Sequence, residues 1–152
     1  MKCIQKWILS EPLIDPIDHH DILSSTEKFY EIDIEKVTKT ELDFQNKFKL
    51  NITISGKVYG LVTWFDCYFS HGHKKYTLST SPYKKSTHWK HTIFYVEKPF
   101  SVDEEDKIEC CIKVDKADEN IRELNVVLEL EKKAVVHDPS QESKWKQYYR
   151  IS

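Results

Sequence analysis

Glycine is scarce in this chain of 152 residues, which has three, Gly56, Gly60 and Gly72. Turns that cradle a nucleotide-type cofactor use closely spaced glycines between a strand and a helix, and these scattered residues cannot supply one. The four cysteines, Cys3, Cys67, Cys110 and Cys111, contain no CxxC spacing, which argues against a disulfide scaffold or a zinc module. Charge of one sign is also missing: 23 basic against 25 acidic residues leave a formal net charge of −2, so nothing gross points to nucleic acid or a membrane surface. Long apolar runs are absent as well. Trp7-Ile8-Leu9 is too short for a secretory segment, and no stretch approaches the roughly 18 apolar residues of a membrane span. The expectation is a soluble chain with reduced thiols, in the cytoplasm or the nucleus.

Strand patterning is what the sequence has in abundance. Tyr30, Ile32 and Ile34 alternate with Glu31, Asp33 and Glu35, and Phe48, Leu50, Ile52 and Ile54 alternate with Lys49, Asn51, Thr53 and Ser55. Period-two alternation predicts half-buried strands, and Gly56-Lys57 predicts a hairpin turn into Val58. Over residues 58–69, Tyr59, Leu61, Phe65, Cys67 and Phe69 share one face, while Val62, Trp64 and Tyr68 make the other apolar too. That strand reads as covered on both sides. Residues 76–80 and 92–96 are further strands, followed by a connection over 98–107. Ile108, Cys110, Ile112 and Val114 form the next core face, with Cys111 pointing the other way, and Leu124, Val126, Leu128 and Leu130 form another. An irregular stretch around Pro139 leads to a closing strand over 147–151. About eight to ten strands with one or two short helical turns at most give an all-β antiparallel barrel or sandwich. Residues 1–11 read as the remnant of a preceding arm or linker, and 12–152 as the barrel.

Between the strands at 76–80 and 92–96 lies a loop of about ten residues, longer than a tight hairpin needs, and loops of this kind on a rigid sheet often carry function. It sets the imidazole of His88 beside the indole of Trp89. By residue type alone, a tryptophan covering one end of a barrel and a hydrogen-bonded loop histidine are the ordinary readings. The pattern is more specific than that. Ser79-Thr80-Ser81-Pro82, then Thr87-His88-Trp89-Lys90 running into Thr92-Ile93-Phe94-Tyr95, resembles the Thr-His-Trp loop of the protein arginine methyltransferases, nearest the type I branch. Glu11-Pro12-Leu13-Ile14-Asp15 is similar to the family's entry into its C-terminal barrel, and Trp64-Phe65-Asp66 with Phe69 to the strand before the loop. Leu124-Asn125-Val126 and Tyr149-Arg150-Ile151 are similar to the closing strands. Met1-Lys2-Cys3-Ile4 resembles a stretch inside the family's chain, where the dimerisation arm returns to the barrel, which leaves Met1 open to being an interior methionine.

The resemblance implies the substrate-binding barrel of an enzyme that transfers methyl groups from S-adenosylmethionine to arginine side chains of proteins, and a homodimer for the complete enzyme. The α/β domain that binds the methyl donor is absent from this sequence, so the chain by itself is expected to be inactive and to hold neither cofactor nor metal. His88 carries over as the catalytic loop histidine, conditional on an acidic partner in the missing domain, and Thr87 and Trp89 as groove residues that bind substrate. An imidazole bonded to a carboxylate is held in one orientation and tautomer, which is a physical reason for a histidine there. The family's paired-glutamate loop has no counterpart, since Glu104-Glu105 sits in an acidic turn, and His91 stands where the family pattern has glutamine. Two alternatives remain: a non-catalytic interaction or regulatory module, and a cupin-like metal barrel using His71, His73, His88 and His91. The second lacks the glutamate expected shortly after His73. No cysteine has an activating context.

Overall fold

Alternating side chains become strands wherever a neighbouring segment can take up their backbone hydrogen bonds. In the computed structural model, which describes residues 9–118, 120, 122–134 and 144–152, nine segments do so. They are β1 (Leu13–Asp15), β2 (Phe44–Asn51), β3 (Gly56–Thr63), β4 (Asp66–Phe69), β5 (Tyr76–Ser79), β6 (His91–Val102), β7 (Lys107–Lys116), β8 (Leu124–Lys133) and β9 (Lys144–Ile151). Every pairing is antiparallel. Among the described residues the helical content is two 3₁₀ turns, at His19–Asp21 and Lys39–Leu42. The all-β, sandwich-like architecture expected from the sequence is what forms, as a sheet β1-β6-β3, a sheet β2-β7-β8-β9 and a separate ribbon β4-β5.

The core lies between the first two sheets. Ile108, Cys110 and Ile112 of β7 and Val126, Leu128 and Leu130 of β8 meet Phe94, Val96, Phe100 and Val102 of β6, all of them buried. These are the alternating faces of the sequence, and Cys111 is accordingly less buried than Cys110. The turn between β6 and β7 is held by a buried ion pair, Asp106 with Lys132 Nζ at 3.2 Å, while the Asp106 carboxylate also accepts the Asp103 backbone N–H. A charge so buried is tolerable only when paired and hydrogen-bonded.

Other expectations give way to local chemistry. Residues 30–35 are not a strand: the Asp33 carboxylate accepts the Glu35 N–H and the Lys36 ammonium, its carbonyl accepts the Lys36 and Val37 N–H groups, and Ile34 is 80% exposed. An aspartate turn outcompetes the ladder here. No hairpin joins β2 to β3, because β2 pairs with β7 and β3 with β6. The chain turns a corner instead, where the Leu23 carbonyl accepts from Thr53 and Ile54, so Ile54 leaves the core and is exposed. The 58–69 run is two strands in different sheets, and Tyr59, Phe65, Tyr68 and Phe69 are exposed rather than covered. β6 continues through Val102, which shortens the expected 98–107 connection to a four-residue turn, Asp103 to Asp106. The irregular stretch around Pro139 lies largely outside the described residues, as does Cys3.

One glycine has a demanding role. Gly60 lies opposite Tyr95 whereas Val58 lies opposite Phe100, so β6 bulges across residues 96–99 beside Tyr59. Pro99 falls within this bulge, where a missing N–H does no harm. A Cβ on Gly60 would meet the Phe94 carbonyl oxygen at 2.5 Å, so only glycine lets the strands approach here. Side chains of β9 complete the bulge: Gln147 Oε1 accepts the Glu97 N–H, and Gln147 Nε2 and the Tyr149 hydroxyl both donate to the Tyr95 carbonyl. Gln147 Nε2 also donates to the Leu9 carbonyl, and the Ser10 carbonyl accepts from Arg150, so residues 9 and 10 are bonded into this sheet.

Candidate functional site

The loop carrying Thr87, His88 and Trp89 is fastened at both ends before it reaches solvent. At its start, Thr80 is buried and forms three bonds to Phe65: the two backbones join at 3.0 Å, Thr80 Oγ1 donates to the Phe65 carbonyl at 2.9 Å, and the Phe65 N–H donates to Thr80 Oγ1 at 3.1 Å. At its end, His91 is also buried, with Nε2 3.0 Å from the Thr80 carbonyl and Nδ1 2.9 Å from the Ile17 N–H. An imidazole that accepts at Nδ1 and faces a carbonyl at Nε2 is the Nε2–H tautomer. Lys90 adds a surface ion pair to Asp15 at 3.2 Å. The loop thus leaves and re-enters the sheet at a single bonded base.

Within that frame the loop bends sharply. The Lys84 N–H returns to the Ser81 carbonyl, and Thr87 Oγ1 donates to the Trp89 carbonyl at 3.0 Å, a short hydroxyl-backed turn that brings residues 87–89 to the tip. Trp89 stands edge-on to Phe65, with centroids 6.2 Å apart and planes at 75°, and edge-on to His88 at 6.3 Å. Such T-shaped pairs add modest stabilisation beyond burial. Trp89 nevertheless remains 53% exposed, His88 is exposed and Thr87 half-buried. Among the described residues no hydrogen bond or ion pair engages the His88 ring, so its nitrogens are free to meet a group from outside. A broad groove of about 1830 Å³ opens between the segment around residues 20–35 and strands β3 and β4, lined by apolar groups such as Phe29, Phe48, Leu61, Phe65 and Phe69. Phe65 belongs both to that groove and to the support of Trp89.

The structure separates the four histidines that the metal-barrel alternative would need together. His71 and His73 are exposed on the turn between β4 and β5, His88 is at the loop tip, and His91 has both ring nitrogens committed. Among the described thiols, burial pushes Cys110 up to about 12, which makes it inert, and Cys67 and Cys111 are free and half-buried. Glu104 and Glu105 lie in the β6–β7 turn, away from any paired-carboxylate arrangement with His88. What residue-type reasoning missed is the anchoring set, Thr80, His91 and the backbone of Ile17. Its members are far apart along the chain, His91 and Ile17 by 74 positions, so no local pattern reveals it.

Comparison with known proteins bears on the family and the fold. Residues 1–135 match the family model described as the arginine methyltransferase oligomerization subdomain. A protein arginine N-methyltransferase 8-B of Danio rerio is 36% identical over 138 residues, covering 91% of this chain and 33% of its own length. A protein arginine N-methyltransferase 1 of Schizosaccharomyces pombe is 33% identical over 123 residues, covering 81% of this chain and 36% of its own. Among solved structures, the Trypanosoma brucei PRMT1 enzyme–prozyme heterotetrameric complex with AdoHcy aligns with a TM-score of 0.85 and 26% identity, over 95% of this chain and 44% of that one. Arabidopsis thaliana protein arginine methyltransferase 10 shares the fold at a TM-score of 0.89 and 20% identity, over 99% of this chain and 45% of that one. The chain spans about a third of the length of the curated relatives it matches. By the family model over residues 1–135 and by these relatives, the chain belongs to the protein arginine methyltransferase family, as its C-terminal domain.

Proposed function

We propose that this domain docks the substrate and closes the active site of a protein arginine N-methyltransferase, an enzyme that moves methyl groups from S-adenosylmethionine to arginine side chains of proteins. The observation that carries the reading is the presentation of His88 and Trp89: a loop bonded at its base and exposed at its tip, with both nitrogens of the His88 ring unbonded among the described residues. Positioning chemistry needs such a bonded base, because a misplacement of about 1 Å can cost roughly a hundredfold in rate. In this reading His88 meets an acidic residue of the S-adenosylmethionine-binding domain beside the arginine guanidinium, while Thr87 and Trp89 form the groove wall. The domain takes no methyl donor by itself. Its boundary is near residue 12, its setting the cytoplasm or the nucleus, and its complete enzyme a homodimer acting on arginine-containing proteins.

The exposed rings of Tyr59, Phe65, Tyr68 and Phe69 favour a docking surface in either case, and so also support the second reading, a non-catalytic interaction module. A paired assay separates the two. When this domain is joined to its S-adenosylmethionine-binding domain, His88→Ala lowers methyl transfer roughly ten- to a thousandfold and leaves donor affinity unchanged. Unchanged turnover would remove the catalytic role. A calorimetric titration of this chain alone with S-adenosylmethionine shows no stoichiometric binding, and a micromolar signal would place the donor site here instead.

A further inference from the structure

Among the described residues, the group of three metal-ligating side chains that comes together is Asp18, His19 and His20, at the start of the 3₁₀ turn that follows β1. One ligand atom from each lies within 4.8 Å of the others. The carboxylate organises the group: Asp18 Oδ1 is 2.7 Å from His20 Nδ1 and 3.2 Å from His19 Nδ1, and it accepts the His20 backbone N–H at 2.9 Å. The two rings lie against each other with centroids 3.9 Å apart and planes at 38°, so both Nδ1 atoms are turned to the same oxygen. A zinc-class ion holds nitrogen and oxygen donors at about 2.0–2.2 Å, which places neighbouring donors of a tetrahedron about 3.3 Å apart. The Asp18–His19 separation already lies close to that spacing, and the shorter Asp18–His20 one, a hydrogen bond, widens to it when an ion displaces the proton. All three side chains are open to solvent, at 64%, 48% and 78% for Asp18, His19 and His20, which leaves room for water to complete the coordination.

We propose that Asp18, His19 and His20 form a surface site for a divalent transition-metal ion of the zinc, nickel or copper class. Two imidazoles and a carboxylate select such ions over magnesium or calcium, which prefer all-oxygen shells. The position gives the site a consequence. The turn is preceded by Ile17, whose N–H is bonded to His91, and the His19 ring lies 5.9 Å from Tyr83 of the loop that carries His88. An ion there braces the connection on which the base of that loop rests. The site is independent of the methyltransferase reading and differs from the set His71, His73, His88 and His91, whose members the fold keeps apart.

Isothermal titration of the chain with zinc chloride, repeated with nickel chloride, tests the proposal. One ion binds per chain with micromolar affinity, His19→Ala and His20→Ala each weaken it by about tenfold or more, and the double change His71→Ala with His73→Ala leaves it unaltered. Circular dichroism checks that the variants fold. In the unaltered chain, copper(II) should broaden amide signals of residues 18–21 and of Tyr83, a measurement that needs no variant. Affinity surviving in His19→Ala with His20→Ala, broadening centred on His71 and His73, or millimolar binding without defined stoichiometry would each overturn the assignment.

Discussion

His91 Nε2 meets the Thr80 carbonyl at 3.0 Å, so the residue that closes the 80–91 loop is bonded to the residue that opens it. The same ring takes the Ile17 N–H on its other nitrogen. Replacing His91 by alanine removes the partner of the Thr80 carbonyl in a buried setting, at roughly 1–3 kcal/mol for a group left unsatisfied, and that of the Ile17 N–H in a half-buried one, at less. The expected outcome is a clear loss of stability in urea, with faster amide exchange over residues 81–90. His91→Gln, which can both donate and accept, should recover part of each effect. Equal losses for the two variants would show that the ring acts by packing alone.

Gly60 and Gly72 offer a matched comparison. A methyl group at Gly60 would lie 2.5 Å from the Phe94 carbonyl oxygen, whereas at Gly72 the nearest atom is 3.5 Å away. Gly60→Ala therefore forces β3 from β6 and should cost on the order of 1–3 kcal/mol or more. Gly72→Ala should stay within about 0.5 kcal/mol of neutral. Thermal melts of the two proteins make the test.

Core register is read from Leu128, Leu50 and Lys49. Leu128 is 2% exposed and Leu50 half-buried, while Lys49 points outward to Glu109 at 2.8 Å. Leu128→Ala should destabilise by about 2–5 kcal/mol, Leu50→Ala by less, and Lys49→Ala by under about 1 kcal/mol, since exposed ion pairs contribute little. Urea unfolding that ranks Lys49→Ala above Leu128→Ala would contradict the register.

Acid sensitivity follows from the outer face of the β2-β7-β8-β9 sheet. Glu109 is held below its ordinary value by its bond from Lys49, Glu131 by Lys133, and Glu123 by Asn120 and Arg150. Because these folded values lie below the ordinary 4.5, the contribution is present above that pH and is lost as pH falls through the depressed values. Lys133 and Lys146 are raised above 10.5 by Glu131 and Glu129, so their contribution is present below that pH and fades as it rises through the raised values. The melting temperature should form a plateau between these limits and fall beyond both. About 1 M salt should shrink the falls, as screening predicts for surface pairs. An acid-side slope insensitive to salt would point to a buried group instead.

Local alternation along the chain was enough to place the core faces of β7 and β8, to put Cys110 and Cys111 on opposite sides, and to locate the loop through Thr87-His88-Trp89. Side-chain period is a property of a few consecutive residues, and every strand that has one buried face must display it. Pairing is not such a property. Residues 30–35 alternate as cleanly as 48–52, yet a bonded aspartate turn claims the first while β7 is available for the second. The same holds at the site: the Thr-His-Trp motif is visible in the sequence, but the bonds from His91 to Thr80 and Ile17, and the Phe65 ring behind Trp89, exist only once β1 pairs with β6 and β4 with β5. Those contacts join residues 11 to 74 positions apart in the chain, and only the paired strands bring them within bonding distance.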